Sequence, residues 1–264
     1  MCIRDRITAS NLIMFEPIIK LLNRKTIFFI WANENWSDNP AFSQNNENII
    51  INDYNDIEKH CDMLVSYFKH KNYFKICNKP VFYIHHPWFI PADKINTFYN
   101  YLNNLCIQSG FDGIFLKINS MNFNSDYISK HKMKLYDFHP NYKKSTSNIL
   151  INKPDCFQYL DYADYLSKLS FISNTQTLFF DFDNSARLFK PNKLNKRTKC
   201  INNTTTEHRL FCNKLFTFFH TTKFNYKDPF ILLINAFNEW GEKMHIEPSL
   251  NKGTYYIDLI NEYF

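Results

Sequence analysis

One pattern narrows the fold more than any other: short continuous apolar runs alternate with amphipathic stretches of helical length. The runs are Thr26–Ala32 (TIFFIWA), Pro80–His85 (PVFYIH), Gly113–Ile118 (GIFLKI), Lys134–Phe138 (KLYDF), Thr177–Phe182 (TLFFDF) and Phe230–Phe237 (FILLINAF). Unbroken apolar runs, as opposed to strict apolar–polar alternation, suit strands of a parallel sheet covered on both faces. Between them, Asp56–Lys69 places Ile57, Cys61, Leu64, Val65 and Phe68 at spacings of three and four, the period of one helix face. Ala92–Ser109 does the same with Ile95, Phe98, Tyr99, Leu102 and Leu105, and Gly110 stands where its C-cap is expected. Thr206–Thr221, Thr254–Tyr263 and Asn11–Leu22 are further predicted helices. Such an alternation predicts an α/β fold with a parallel sheet.

Two architectures satisfy that pattern. An open sheet that binds nucleotides carries a glycine-rich turn after its first strand. Only Gly110, Gly113, Gly241 and Gly253 occur in 264 residues, and they form no such turn; 34 asparagines are available for the turns instead. A (β/α)8 TIM-like barrel needs eight strands in about 250 residues. Six runs therefore predict a barrel lacking its first two βα units. Residues 1–10 are expected to be an unrelated or disordered start, and 11–264 the barrel domain.

The composition removes several function classes. Apolar residues make up 45% and charged residues 21%, which excludes a disordered chain. No apolar run approaches the roughly 18 residues of a membrane span. The net charge of +6 is modest and spread along the chain, against a dedicated nucleic-acid binder. Seven cysteines with no CxxC and no short Cys/His cluster support neither a zinc site nor a disulfide framework. Reduced thiols point to a cytoplasmic location.

The strongest chemical signal runs from Ile234 through Asn235-Ala236-Phe237-Asn238-Glu239-Trp240-Gly241-Glu242 to His245-Ile246-Glu247-Pro248. It lies at the carboxyl end of a strand, the working edge of a parallel β/α sheet. Residues three apart in extended chain point to opposite sides, but Gly241 gives the backbone freedom to turn Glu242 back toward Glu239. Two carboxylates in one pocket repel, so one keeps a proton while the other stays ionised. Breaking a glycosidic bond requires that division of labour.

Other strand ends supply groups suited to a sugar. In Trp31-Ala32-Asn33-Glu34-Asn35-Trp36, amides can bridge vicinal hydroxyls and indole faces can stack on a pyranose. His85-His86-Pro87-Trp88 and Phe138-His139-Pro140 offer His86 and His139. Asp181-Phe182-Asp183-Asn184 is open to two readings. It is either the DxD pattern that holds a divalent ion on a nucleotide-sugar, or a barrel strand whose alternate residues point inward. The expected site is Glu239 and Glu242 as catalytic pair, with Trp31, Asn33, Glu34, Asn35, Trp36, His86, His139, Asp183, Asn184, Asn238, Trp240 and Glu247 around the substrate. Arg187–Lys199, with six basic residues, reads as a solvated loop or as a contact for an anionic sugar, a phosphate or an acidic partner. No cofactor is expected, and a metal only with a nucleotide-sugar.

Taken together, WANENW and INAFNEWGEKMHIEP resemble the WbsX-type, glycoside hydrolase family 99-like proteins. DYNDIEKHCDMLVSYF, YFKICNKPVFYIHHP, LYDFHP and FFDFDNSARL fall between them in that family's order, so the resemblance spans about Phe15 to Tyr256. It implies a β/α barrel, an oligo- or polysaccharide substrate, and about two further βα units upstream. In family 99 hydrolases the ExxE pair carries out retaining cleavage of α-mannosides. The resemblance implies that Glu242 is the general acid/base and that Glu239 assists the sugar's 2-hydroxyl, giving an anhydro-sugar intermediate. WbsX-like proteins are associated with surface polysaccharide assembly and named as glycosyltransferases, so the resemblance leaves synthesis and hydrolysis both open. A non-catalytic glycan-binding module is the third reading. The family's usual Tyr-Arg-Pro is here His85-His86-Pro87, its Phe-Gln-Pro is Phe138-His139-Pro140, and its glycine-alanine after the second glutamate is Lys243-Met244.

Overall fold

The computed structural model describes residues 26–33, 54–119, 134–136, 156–161, 175–183, 199–201, 203–223, 229–237, 240 and 243–264. The chain divides into two compact units, Met1–Leu135 and Tyr136–Phe264. The expected start at residues 1–10 and the helix Asn11–Leu22 lie outside the described residues.

The five-stranded sheet contains β1 (Phe29–Trp31), β2 (Lys75–Ile76), β3 (Lys79–Ile84), β4 (Phe115–Asn119) and β5 (Lys134–Tyr136, at the end of the first unit), ordered β1-β3-β4-β5 with β2 hairpinned onto β3. β1 pairs parallel to β3, Phe29 opposite Phe82, and β3 parallel to β4, Phe82 opposite Leu116. The crossovers are α1 (Ile57–Phe68) and α2 (Ala92–Gln108). Cys61, Leu64, Val65 and Phe68 of α1, and Ile95, Phe98, Leu102 and Cys106 of α2, are buried at the predicted period. They pack with Phe29, Phe82, Ile84, Leu116 and Ile118 into one core, so both helices cover the same face of the sheet. Strands in sequential order with crossovers on a single face are the winding of a barrel wall, whereas a doubly wound sheet carries helices on both faces. The described strands do not close into a barrel.

Two local devices fix this unit. α2 ends in a Schellman motif: Phe111 N–H donates to Cys106 O at 3.0 Å, Gly110 N–H to Ile107 O at 3.0 Å, and Gly110 adopts φ +88°. Gly110 is thus the helix stop that the sequence predicts. The β2–β3 hairpin turns on Cys77 and Asn78, at φ +48° and +56°, as a two-residue loop with positive φ at both positions must. Asn78 Nδ2 then donates to Gly110 O and Asp112 Oδ1, at 3.2 and 3.3 Å, and ties the hairpin to the end of α2.

The second unit holds two parallel pairs. β6 (Cys156–Gln158) lies beside β8 (Lys199–Ile201), and β7 (Thr175–Leu178) beside β9 (Ile231–Ile234). α3 (Thr205–Thr221) starts with a capping box, Thr204 Oγ1 accepting from Glu207 N while Glu207 Oε2 accepts from Thr204 N. Its buried stripe His208, Phe211, Cys212, Leu215 packs with Tyr256 and Leu259 of α4 (Tyr255–Tyr263), and with Tyr159, Leu178, Phe179, Phe180, Phe182 and Met244.

β7 departs from its predicted span. The ladder begins at Thr175 and stops at Leu178, although Phe179–Phe182 stay buried. Side chains satisfy the backbone there: Tyr159 Oη donates to Phe179 O at 2.6 Å, His208 Nε2 to Phe180 O at 2.7 Å, and Asp181 Oδ1 accepts from Phe182 N at 2.8 Å. A chain whose polar groups are satisfied this way needs no strand partner. β9 stops at Ile234 for a related reason. Asn235 N still donates to Leu178 O, but Ala236 N turns away to Met244 O. Among the described residues Cys61, Cys106 and Cys212 are buried free thiols and Cys77 an exposed one, and no helix is long and apolar enough to cross a membrane.

Candidate functional site

Strand parity decides what the first unit offers at its carboxyl edge. Phe29, Phe82 and Leu116 face the helices, as do Trp31, Ile84 and Ile118 one row above. The intervening residues must face the other way. Ile30, Tyr83 and Lys117 form one such row, with His85 and Asn119 next toward the carboxyl ends. Asn119 Nδ2 and His85 Nδ1 lie 3.4 Å apart. All five are buried, and Lys117 is 0% exposed. A lysine that buried is rare unless it is paired. Its Nζ lies 5.6 Å from the centre of the Phe115 ring. This polar face was missed from sequence, although a charge inside the apolar run GIFLKI was a visible signal.

Two of the expected substrate residues in this unit make contacts within the protein. Trp31 shares the helix-side face: half-buried, its ring packs at 4.4 Å on His60, 5.7 Å on Phe98 and 6.1 Å on Tyr54. Asn33 is fully buried. Its Oδ1 accepts from His86 N at 2.8 Å, while its Nδ2 donates to His86 O at 2.8 Å and to Tyr54 Oη at 3.1 Å. Tyr54 Oη returns a bond to Asn33 O at 3.1 Å. With its amide engaged on both sides, Asn33 fastens the end of β1 to the segment after β3. His86 is thus held by its main chain, with its ring against His85, Trp88 and Phe89. The imidazole on the polar face is its neighbour His85.

In the second unit the candidate site is the loop after β9. Its two arms are joined by main-chain bonds: Ala236 N to Met244 O, Ile246 N to Ala236 O, and Glu247 N to Phe237 O, between 2.9 and 3.0 Å. Lys243 N also donates to Trp240 O at 3.1 Å. Between the arms, Trp240 lies flat on His245 with ring centres 3.6 Å apart and planes 12° apart. Trp240 Nε1 donates to Glu247 Oε2 at 2.8 Å. Lys243 Nζ reaches Asp181 Oδ2 at 3.1 Å. Burial holds the His245 imidazole below its ordinary pKa, opposed by the nearby Asp181 and Glu247 charges.

Glu247, expected at the substrate, is therefore bonded to the indole. Asp183 is half-buried just beyond Asp181. Glu34, Asn35, Trp36, His139, Asn184, Asn238, Glu239 and Glu242 lie outside the described residues, as does most of the basic stretch Arg187–Lys199. Among the described residues no three His, Cys, Asp or Glu side chains are grouped to hold a metal ion.

The family model described as Glycosyltransferase WbsX matches residues 9–260. Solved structures with a similar fold include a glycoside hydrolase-like protein, with TM-score 0.50 and 13% identity over 100% of this chain and 89% of that one. They include the GH99 endo-alpha-mannosidase from Bacteroides thetaiotaomicron, with TM-score 0.57 and 10% identity over 99% of this chain and 74% of that one. The same enzyme in complex with BIS-TRIS-propane gives 0.52 and 11%, over 90% and 69%. None of the curated proteins matches in sequence.

Proposed function

Since the chain belongs to the WbsX glycosyltransferase family, and with it to the enzymes that act on glycosidic bonds, we propose that it cleaves a mannose-like polysaccharide through Glu239 and Glu242. The observation that carries this is the intact Glu239-Trp240-Gly241-Glu242 at the carboxyl end of β9, flanked by a loop whose arms are bonded together. A loop tied at both arms suits paired carboxylates, because acid–base chemistry tolerates little displacement of the groups. Glu242 protonates the leaving oxygen as the glycosidic bond breaks. Glu239 draws the proton from the 2-hydroxyl, whose oxygen closes on the anomeric carbon. Water, deprotonated by Glu242, then attacks the anomeric carbon and opens the anhydro-sugar, while Glu239 returns its proton to the 2-oxygen, so the configuration is retained. The one-sided winding of the first unit supports the β/α barrel as a scaffold, with residues 11–264 as one domain and the buried thiols consistent with action inside the cell.

The test is Glu242→Gln against an activated α-mannoside and capsule-type oligosaccharides. Turnover falls by at least about a hundredfold; undiminished turnover removes the acid/base assignment.

The family's description as a glycosyltransferase favours a second reading, sugar transfer, which we would place in surface polysaccharide synthesis. A metal-bound nucleotide-sugar at Asp181 and Asp183 does not fit well. One Asp181 oxygen accepts from Phe182 N and the other is paired with Lys243. A nucleoside diphosphate with manganese that raises the melting temperature would restore this reading.

A further inference from the structure

We propose that Trp240 is a fixed stacking platform for a sugar ring, and that Glu247 and His245 are positioning residues that set its plane. This rests on the carbohydrate reading above and adds a role that the residue types alone do not give. Trp240 is 51% exposed, unusual for an indole outside an interface. Exposure without restraint would leave the ring free to rotate, and ordering it on binding would weaken affinity.

Three restraints remove that freedom. The Nε1–H is held by the Glu247 carboxylate at 2.8 Å, a charge-assisted bond that fixes the direction of the ring edge. His245 covers one face at 3.6 Å and 12°, so a ligand would have to take the other. The backbone is tied on both sides, through Lys243 N to Trp240 O and through the bonds of residues 236 and 237 with 244, 246 and 247. A pyranose presents C–H bonds on its apolar face, and these carry slight positive charge toward the negative face of the π system. A carboxylate accepting the indole N–H pushes electron density into the ring and strengthens that attraction. Glu247 is thus one step removed from the sugar, acting through the indole.

The experiment uses the full chain labelled with 5-fluorotryptophan. Its four tryptophans give four fluorine resonances, with that of Trp240 assigned by Trp240→Phe. Titration with an α-linked mannose disaccharide should move the Trp240 resonance. Glu247→Leu should move it without sugar and raise the Kd or KM about tenfold, with kcat within about threefold. Glu247→Gln retains an acceptor oxygen and should return both to within about twofold of wild type. A Trp240 resonance and affinity unchanged in Glu247→Leu overturn the positioning role. Silence of that resonance toward mannose, glucose and galactose disaccharides alike overturns the platform. A resonance that moves without turnover supports the platform while counting against the hydrolytic reading, and turnover with a silent resonance does the reverse.

Discussion

Acid should loosen the second unit through one residue, His208. Its Nε2 lies 2.7 Å from Phe180 O, and a carbonyl only accepts, so Nε2 carries the hydrogen and Nδ1 accepts from Tyr255 Oη at 3.3 Å. Tyr159, Phe180 and Tyr256 surround the ring with centres 5.1 to 5.7 Å away, and the residue is 1% exposed. Burial pushes its pKa down from 6.5 to about 4. The folded value lies below the unfolded one. The stabilisation is therefore complete above about pH 6.5 and is lost as the pH falls toward 4. At 1.36 kcal/mol for each tenfold change in proton affinity, the full window corresponds to about 3 kcal/mol. Between pH 7 and pH 5 the loss is about 2 kcal/mol, a large share of an ordinary domain's stability. Native-state hydrogen exchange of the amides in 205–221 reads the opening free energy of this unit directly. His208→Gln, which can still donate to Phe180 O, provides the reference and cancels other titrating groups. Wild type should lose about 2 kcal/mol more than the variant between the two pH values. Equal losses, or a wild type that gains stability in acid, would refute the argument.

Two further outcomes follow from the first unit. Asn33→Ala removes both partners of the His86 main chain and should cost about 2 to 4 kcal/mol, measured as the urea midpoint of the purified chain. Asn33→Asp, which keeps the acceptor but loses the donor, should fall between. Lys117→Met exchanges a fully buried lysine for an apolar chain of similar length, and removing one member of a buried interaction should lower the urea midpoint. Saccharide turnover should fall at least about tenfold in that variant if the polar face serves the substrate. Loss of the fold would instead make Lys117 a structural tether.

The helices and the central strands were legible because periodicity and unbroken apolar runs register burial, which local chemistry cannot easily override. α1 differs from its predicted span by one residue at each end, and α2 by one at its C-terminal end. β6 and β8 escaped, because Cys156-Phe157-Gln158 and Lys199-Cys200-Ile201 are too short and too polar to stand out. The β2–β3 hairpin escaped because its positive-φ turn is Cys77-Asn78, without the glycine that marks such turns. Facing was the harder problem. A run apolar on both sides carries no parity signal, so nothing in TIFFIWANENW told Trp31 from its neighbours, and one step of register separates core from site. Residue type was also a poor guide to partner. Asn33 just beyond β1 and Glu247 in the loop after β9 are polar groups of the right kind, but each is engaged within the protein, over 53 and 7 residues of sequence. Lys117 could have been found as a charge misplaced in its run.

The Asn33 bridge has a consequence for any attempt to re-engineer specificity. Because one amide clasps the backbone of a distant turn, Asn33 and the turn after β3 behave as a single mechanical part. A graft that replaces either segment alone would leave the other without its clasp, so a donor's pair must be transplanted together with the asparagine that joins them.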